Sequence, residues 1–382
     1  MVERRLSLYL HLPWCEAKCP YCDFNSYTYD GKLPEDTYTA ALIADFASEW
    51  DRLGPFHIDT IFIGGGTPSL FDARQIARLL DAVKNHAAIG ETTEVTLESN
   101  PGSAEISRFA AYREAGVNRL SIGVQSFNNQ SLLRIGRVHD ASQAHAAIAA
   151  ARAAGFDNLN LDLMFGLPGA AEGDMLQDID QAIAYGPEHI SWYELTLEPG
   201  TAFAAKPPQL PSHDNVVAAY DQGVARLASA GYHQYEISAY AVSGHACRHN
   251  LNYWRYGDYL GIGAGAHSKI TFGGEIERAW RHRNPRRYMS SMRSARTACE
   301  RTTVEPGDRL SDYMINALRL RDGFSLADCQ RQIGESAQAL LTAQLEQGIA
   351  RGWLERDDDL IRPTATGFRY LNDLQLLFVG GS

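Results

Sequence analysis

Long apolar runs are missing from this 382-residue chain. No stretch approaches the ~18 consecutive apolar residues that a spanning helix requires, so any membrane association is expected to be peripheral. An excess of positive charge is missing too. The 46 Asp and Glu outweigh the 35 Lys and Arg, for a net charge of −11, which opposes a broad phosphate-binding surface and argues against nucleic acid as a partner. Arg4 and Arg5 precede a short apolar stretch, but Pro13, Trp14 and a cysteine stand where a signal peptide needs small residues. No targeting segment is therefore expected, and the cytoplasm is the expected compartment. Cysteine is scarce, six in all, and Cys15, Cys19 and Cys22 crowd onto one short segment. In a reducing compartment such crowding suits metal binding rather than a disulfide framework.

What is present suits a folded globular chain, 45% hydrophobic and 21% charged, with a length that predicts one large unit and a smaller appendage. Short β-branched or aromatic runs alternate with amphipathic stretches. The pattern predicts strands at Leu6–Leu12, Ile58–Ile63, Glu94–Glu98, Asn118–Val124, Asn158–Leu163 and His189–Leu195, and helices at Ser69–His86, Ser103–Ala115, Ala141–Ala154 and Asp174–Tyr185. Six βα units imply an α/β fold on a parallel sheet, too few for a closed eight-stranded barrel and so a partial (βα)6 barrel. Reactive and glycine-rich residues gather where each strand gives way to a helix, the edge that carries the active site in such folds.

The expected division is a barrel over 1–240, a connecting segment over 241–304 and a C-terminal unit over 305–382. Pro207, Pro208 and Pro211 mark a loop after the sixth strand. Helices at Arg309–Leu320, Leu326–Ile333 and Glu335–Arg351, a hairpin over Trp353–Pro363 and a last helix predict a small, mainly helical, winged-helix-like domain. Asp357, Asp358 and Asp359 at the hairpin tip oppose phosphate contact, so this domain reads as a lid or a partner surface.

Cys15-x-x-x-Cys19-x-x-Cys22 places three thiols on one compact loop. Iron–sulfur clusters usually take four thiolates, so three leave one iron open to an exchangeable ligand. A zinc site would need a fourth donor, for which His11 is the only local choice. Gly64-Gly65-Gly66-Thr67-Pro68 after the second strand lets the backbone approach a ligand closely and turns its amides toward a carboxylate or an amino-acid head group. Glu98, Gln125, Arg137 and Asp162 can supply further polar contacts, carboxylates to ribose hydroxyls or an ammonium and arginine to a carboxylate.

The segment His11–Asn25 is similar to the cluster loop of the radical S-adenosylmethionine superfamily. Nearly the whole chain, C-terminal domain included, resembles its HemN-like family of oxygen-independent coproporphyrinogen oxidases and haem chaperones. The resemblance implies a 4Fe–4S cluster on Cys15, Cys19 and Cys22 with S-adenosylmethionine on the open iron. It assigns Gly65, Gly66 and Thr67 to the cofactor's amino group. It also implies contacts from Glu98 (Glu-x-Asn-Pro), Gln125 (Gly-Val-Gln-Ser-Phe), Arg137 (Gly-Arg) and Asp162 (Asp-Leu-Met-Phe-Gly-Leu-Pro), with Tyr9 and Tyr21 as additional contacts. Oxidase members carry an extra cysteine two residues after the third ligand, where this chain has Phe24. That departure weakens the decarboxylating activity as an inference and favours the chaperone branch.

His249-Asn250-Leu251-Asn252-Tyr253-Trp254 matches the His-Asn-x-x-Tyr-Trp signature of that branch. Its imidazole suits an axial haem ligand, and Tyr253 and Trp254 offer flat faces to a macrocycle. His245, Cys247 and His267 are rival ligands. The expected function is haem binding and transfer to an acceptor protein, with a respiratory haem protein as the implied acceptor. The alternative is a radical enzyme that cleaves S-adenosylmethionine and oxidises a tetrapyrrole precursor. Whether cluster assembly promotes a homodimer or membrane docking is left open by the sequence. Replacing Cys15, Cys19 or Cys22 by alanine is expected to abolish the cluster, since each thiolate holds a separate iron; iron and sulfide retained at parental levels after anaerobic reconstitution would refute the assignment.

Overall fold

The computed structural model describes residues 4–294, 299–334 and 337–379. Six parallel strands lie side by side in chain order: β1 (Arg4–Leu12), β2 (Phe56–Gly65), β3 (Ala88–Ser99), β4 (Arg119–Gln125), β5 (Leu159–Phe165) and β6 (His189–Glu194). Helices Glu35–Leu53, Ala73–Lys84, Ala141–Ala153 and Glu172–Tyr185 lie among the crossovers. Each expected strand is present. The helix expected from Ser69 begins instead at Ala73, because Pro68–Leu70 forms a 3-10 turn and the Asp72 carboxylate caps the helix by accepting from the Arg74 amide. The helix expected over Ser103–Ala115 is two pieces, Ser103–Ile106 and Phe109–Glu114.

The two faces of the sheet differ in chemistry, and alternation along each strand sets the difference. The outward face is apolar: Leu8 and Leu10, Ile61 and Ile63, Val95 and Leu97, Leu120 and Ile122, Leu161 and Leu163, Ile190 and Trp192 are all buried in the main core with the helices. The inward face is largely polar, with Ser7, Thr60, Glu94, Arg119, Asn160 and His189 all buried. Glu98, Ser121, Asn160 and His189 stand in one row of the sheet register. Buried polar groups must be paired, and here they pair with one another. Asn160 donates to Ser121 Oγ and Asp162 Oδ1, both at 2.8 Å, and His189 Nδ1 lies 2.6 Å from Asn160 Oδ1.

The segment expected to be a connector adds strands to the same sheet. Beyond β6 lie β7 (His233–Glu236) and β8 (Ala239–Ala241). Beyond β1 lie β9 (Tyr259–Ile262), β10 (His267–Phe272), β11 (Glu275–Arg281) and β12 (Cys299–Thr303), which makes this one sheet 12 strands wide among the described residues. Arg281, fully buried, ties this extension to the helix Glu35–Leu53 through Asp45 at 3.2 Å and Glu49 at 2.9 Å.

The C-terminal unit has its own core, including Leu310, Met314, Leu341, Ile361 and Leu374. Its helices Arg309–Ala317, Leu326–Ile333 and Gln338–Ala350 pack with β13 (Phe324–Ser325), β14 (Leu354–Asp357) and β15 (Leu360–Pro363), the winged-helix-like arrangement expected. The expected start of the third helix, Glu335, lies outside the described residues. Asp359 caps Leu326–Ile333 by accepting from Ser325 Oγ and the Ala327 amide. No helix among the described residues is long and apolar enough to cross a membrane.

The short helix Arg248–Trp254 closes the polar interior. Glu94 accepts from the amides of Arg248 and His249 and from the Cys247 thiol. Thr60 Oγ1 donates to Ser7, so the His249 Nδ1–H donates to Thr60 at 2.7 Å and Nε2 accepts from the Tyr253 hydroxyl at 2.9 Å. Burial, reinforced by Arg119, pushes the His249 imidazolium down to about 3. An unfolded histidine titrates near ~6.5, so between these values the unfolded chain binds the extra proton and stability falls as pH drops. The melting temperature is therefore expected to fall from pH 7.5 to pH 5, and His249→Gln to remove about 1.4 kcal/mol per pH unit of that acid slope below pH 6. Parallel slopes for parent and variant would contradict this reading.

Candidate cofactor site

The ends of all six parallel strands open onto one cavity of about 620 Å³. Cys15, Cys19, Tyr21 and Cys22 enter it from the loop after β1, Gly65, Gly66 and Thr67 from β2, and Glu98 and Asn100 from β3. Gln125 comes from β4 and Asp162 from β5, β6 adds Ser191 and Tyr193, and Arg137 arrives from the loop after a short helix. Eleven of the residues singled out from sequence thus meet in one place, with Trp254 at the rim as a twelfth.

The cysteine loop is held by its ends. Trp14 and Cys15 pair in parallel with Tyr27 and Thr28, Trp14 packs edge-on against Tyr38 at 4.7 Å, and Lys18 Nζ donates to the Phe24 carbonyl at 3.2 Å. Burial raises the thiols of Cys15 and Cys22 above their ordinary value, against opposing hydrogen bonds from Thr67 and Ser26 to Cys15, so metal binding must displace those protons. Arg137 Nη1 donates to Cys19 Sγ at 3.5 Å. Among the described residues no three His, Cys, Asp or Glu side chains converge on a point where one metal ion could sit. A cluster has no such requirement, because each of its thiolates takes a different iron. His11, the fourth donor that zinc would need, is engaged at both nitrogens: Nε2–H donates to the Asn25 carbonyl at 3.0 Å and Nδ1 accepts from Tyr9 at 2.9 Å.

The glycine turn differs from expectation in one respect. Its amides do not face the cavity: Gly65 N donates to Glu98 Oε2 at 3.0 Å, Gly66 N to the Leu12 carbonyl at 2.8 Å and Thr67 N to the Trp14 carbonyl at 2.7 Å. The turn's function is close approach. A Cβ on Gly66 would stand 2.5 Å from the Trp14 carbonyl oxygen, and Gly65 has a φ of +125° with the His11 ring 2.6 Å from where its Cβ would be.

Electrostatically the cavity is poised for a ligand bearing both signs of charge. Burial, then the neighbouring Asp162, pushes Glu98 up to about 7. Asp162 is raised by burial although Asn160 and Ser121 donate to it. Two desolvated carboxyls at one rim favour a bound ammonium or sugar hydroxyls. Arg137 reaches Asn100 Oδ1 at 2.6 Å and the Gly123 carbonyl at 3.0 Å, and Asn100 donates to Thr67 Oγ1 at 3.0 Å. The buried Nε of Arg137 has no partner, so an acceptor placed in the cavity would satisfy it. Gln125 holds a φ of +66° while accepting from Tyr193 at 2.8 Å, a strained backbone position of the kind found at ligand sites. The donor set and the orphaned arginine fit a cluster with an amino-acid-bearing cofactor.

Asn100 and Tyr193 were not singled out from sequence. Asn100 lies inside the Glu98–Pro101 motif and was legible there, whereas Tyr193 carries no local signal. Tyr9 and Tyr253 lie elsewhere, in a second cavity of about 580 Å³ beside the first. Phe24, Gly65, Glu98 and Trp254 border both cavities. His249 lines neither and is buried beneath them.

Comparison with known proteins places these features in context. The radical SAM superfamily pattern matches residues 9–182, and that of the HemN C-terminal domain matches residues 304–370. The heme chaperone HemW of Escherichia coli strain K12 is 43% identical over 380 residues, covering 98% of each chain. The heme chaperone HemW of Haemophilus influenzae is 42% identical, again over 98% of each. Among solved structures, coproporphyrinogen III oxidase (HemN) from Escherichia coli superposes with a TM-score of 0.83 over 98% of this chain and 90% of its own, at 24% identity, a likeness of fold. Gly66→Ala is expected to cost about 1–3 kcal/mol by overpacking and to lower the iron and sulfide retained after reconstitution, because Trp14 must move and Cys15 with it. Parental melting and cluster content in that variant would refute so tight a fit.

Proposed function

Since the chain belongs to the radical SAM superfamily and, within it, to the family of its HemW relatives, we propose that it binds haem and passes it to an acceptor protein, in the cytoplasm. The observation that carries this reading is near-full-length identity of 43% to a protein named as a heme chaperone, against 24% to the oxidase of the same fold. Phe24 supports it. In the resembled oxidases a cysteine occupies that position, whereas a phenyl ring neither ligates metal nor exchanges protons.

Membership of the superfamily implies a 4Fe–4S cluster and S-adenosylmethionine. Cys15, Cys19 and Cys22 would hold the cluster, which supplies an open iron for an exchangeable ligand and a store for one electron. The chain's own groups would then bind and orient the cofactor. The Arg137 guanidinium, fixed by Asn100 and Gly123, offers its unpaired Nε to an anionic acceptor. Glu98 and Asp162 accept from ammonium or ribose hydroxyl donors, which lowers the penalty of their burial. Gly65, Gly66 and Thr67 let the ligand approach the backbone, and Tyr21, raised well above its ordinary value chiefly by burial, stays a neutral phenol. Acceptor transfer, with a respiratory haem protein as the class of acceptor, places the cofactor in a regulatory part rather than in substrate oxidation.

The test is an anaerobic assay of the reduced, cluster-reconstituted chain with S-adenosylmethionine, offered coproporphyrinogen and, separately, haem. The expected result is a haem absorption band without porphyrin product. Turnover of coproporphyrinogen would establish the oxidase reading despite Phe24.

A further inference from the structure

The second cavity has a built chemistry that the cofactor site does not use. Its walls are aromatic: Tyr9, Tyr253, Trp254 and Tyr259 line it, and Phe24, 60% exposed, stands at its boundary with the cluster cavity. The chamber thus presents flat apolar faces within reach of the metal loop. Such walls suit a planar ligand, because aromatic faces pack over large ring systems without demanding hydrogen bonds.

The polar groups of this chamber divide into those already satisfied and those that are not. Lys269 donates to the Tyr256 carbonyl at 2.8 Å and to Asp258 at 3.0 Å, and Arg278 forks onto both oxygens of Asp312 at 2.7 Å. Arg283 is different. It is exposed at the rim, and its only side-chain hydrogen bond among the described residues is from Nε to Asn25 Oδ1 at 3.3 Å, with no ion pair to a carboxylate. An unpaired guanidinium on a chain of net charge −11 is a ready anchor for a carboxylate.

The four side chains considered as haem ligands separate just as clearly. His249 is buried with both nitrogens engaged. Cys247 is buried, and its thiol, pushed up to about 12 chiefly by burial, donates to Glu94. His245 lines neither cavity and contacts the Ser243 carbonyl through Nδ1. His267, the first residue of β10, is exposed on the second chamber, and neither ring nitrogen has a hydrogen-bond partner among the described residues.

We propose that the second chamber is the haem chamber, with His267 as axial ligand to the iron, the aromatic walls against the macrocycle and Arg283 on a propionate at the rim. Resting on the reading of this chain as a haem binder, the assignment adds where haem sits and what holds it. Haem would then lie across Phe24 and Trp254 from the cluster, each group in its own compartment.

The experiment is a haem titration of the full, cluster-reconstituted chain by absorption, comparing parent, His267→Ala and Arg283→Ala, with iron and sulfide content measured in each. Both changes are at exposed positions, so cluster content is expected to match the parent and to certify the fold. His267→Ala is expected to shift or abolish the Soret band and to weaken binding by about tenfold or more; Arg283→Ala is expected to keep the band position and weaken binding by about tenfold or less. A His267→Ala chain with parental band and affinity overturns the assignment and leaves the haem function standing. A parent that takes up no haem overturns the functional reading itself.

Discussion

The constraint on which the rest of the molecule depends is the polar inner face of an incomplete barrel. Six strands present Ser7, Thr60, Glu94, Arg119, Asn160 and His189 to the interior, and the further strands extend the sheet at its two edges rather than covering these groups. Leaving such groups unpaired in a desolvated interior costs about 1–3 kcal/mol each. The solution is a plug: Arg248–Trp254 and the residues before it bring Cys247, His249 and Tyr253 beneath the sheet, and Glu94 accepts three bonds from the segment. His189 closes the other side, its Nε2 accepting from Tyr235 at 2.8 Å. With the base sealed by hydrogen bonds, the open end of the interior is left as the place where ligands enter.

That end is shaped by the way the cysteine loop docks. The loop carries no helix and little sheet, so its position comes from backbone bonds to neighbouring elements: Thr67 N to Trp14 O, Gly66 N to Leu12 O, Tyr27 N to Pro13 O at 2.7 Å and Phe203 N to Pro20 O at 2.9 Å. Gly66 permits the first two by its lack of a side chain. Tyr38 adds a second tie, donating to the His11 carbonyl and accepting from the Ala264 amide, both at 2.8 Å. The cysteines are thereby registered against β2 on one side and the β9–β10 turn on the other, which sets both cavities along one loop.

Much of this was legible in the sequence. The six strands follow from β-branched runs, and the thiols and rim carboxylates follow from residue types at strand ends, because parallel βα topology sends every such end to the same edge. Three features resisted. Strands β11 and β12 read Glu-Ile-Glu-Arg-Ala-Trp-Arg and Cys-Glu-Arg-Thr-Thr, too polar at a sheet edge to give an apolar alternation. The amides of Gly65, Gly66 and Thr67 turn into the protein because β1 and Glu98 compete for them, a contest that only three-dimensional proximity decides. His249 illustrates the same limit: a histidine and a tyrosine four apart share a helix face, but sequence does not tell whether that face meets a ligand or a strand.

The distinction between the two compartments turns on Phe24. A phenyl ring exposed by 60% at the junction of two cavities gains from being covered, at roughly 25 cal/mol for each Å² of apolar surface removed from water, so occupation of either chamber is favoured by its presence. A thiol at that position would offer a weak ligand and a proton donor between the compartments; the phenyl ring offers neither. Asp162 lies in the first chamber alone and suits a ligand carrying donors, Glu98 borders both, and the Arg283 guanidinium belongs to the second alone and suits a ligand carrying carboxylates. Shape and charge therefore sort two different ligands to the two sides of one ring, and the cysteine loop that bears the ring is common to both.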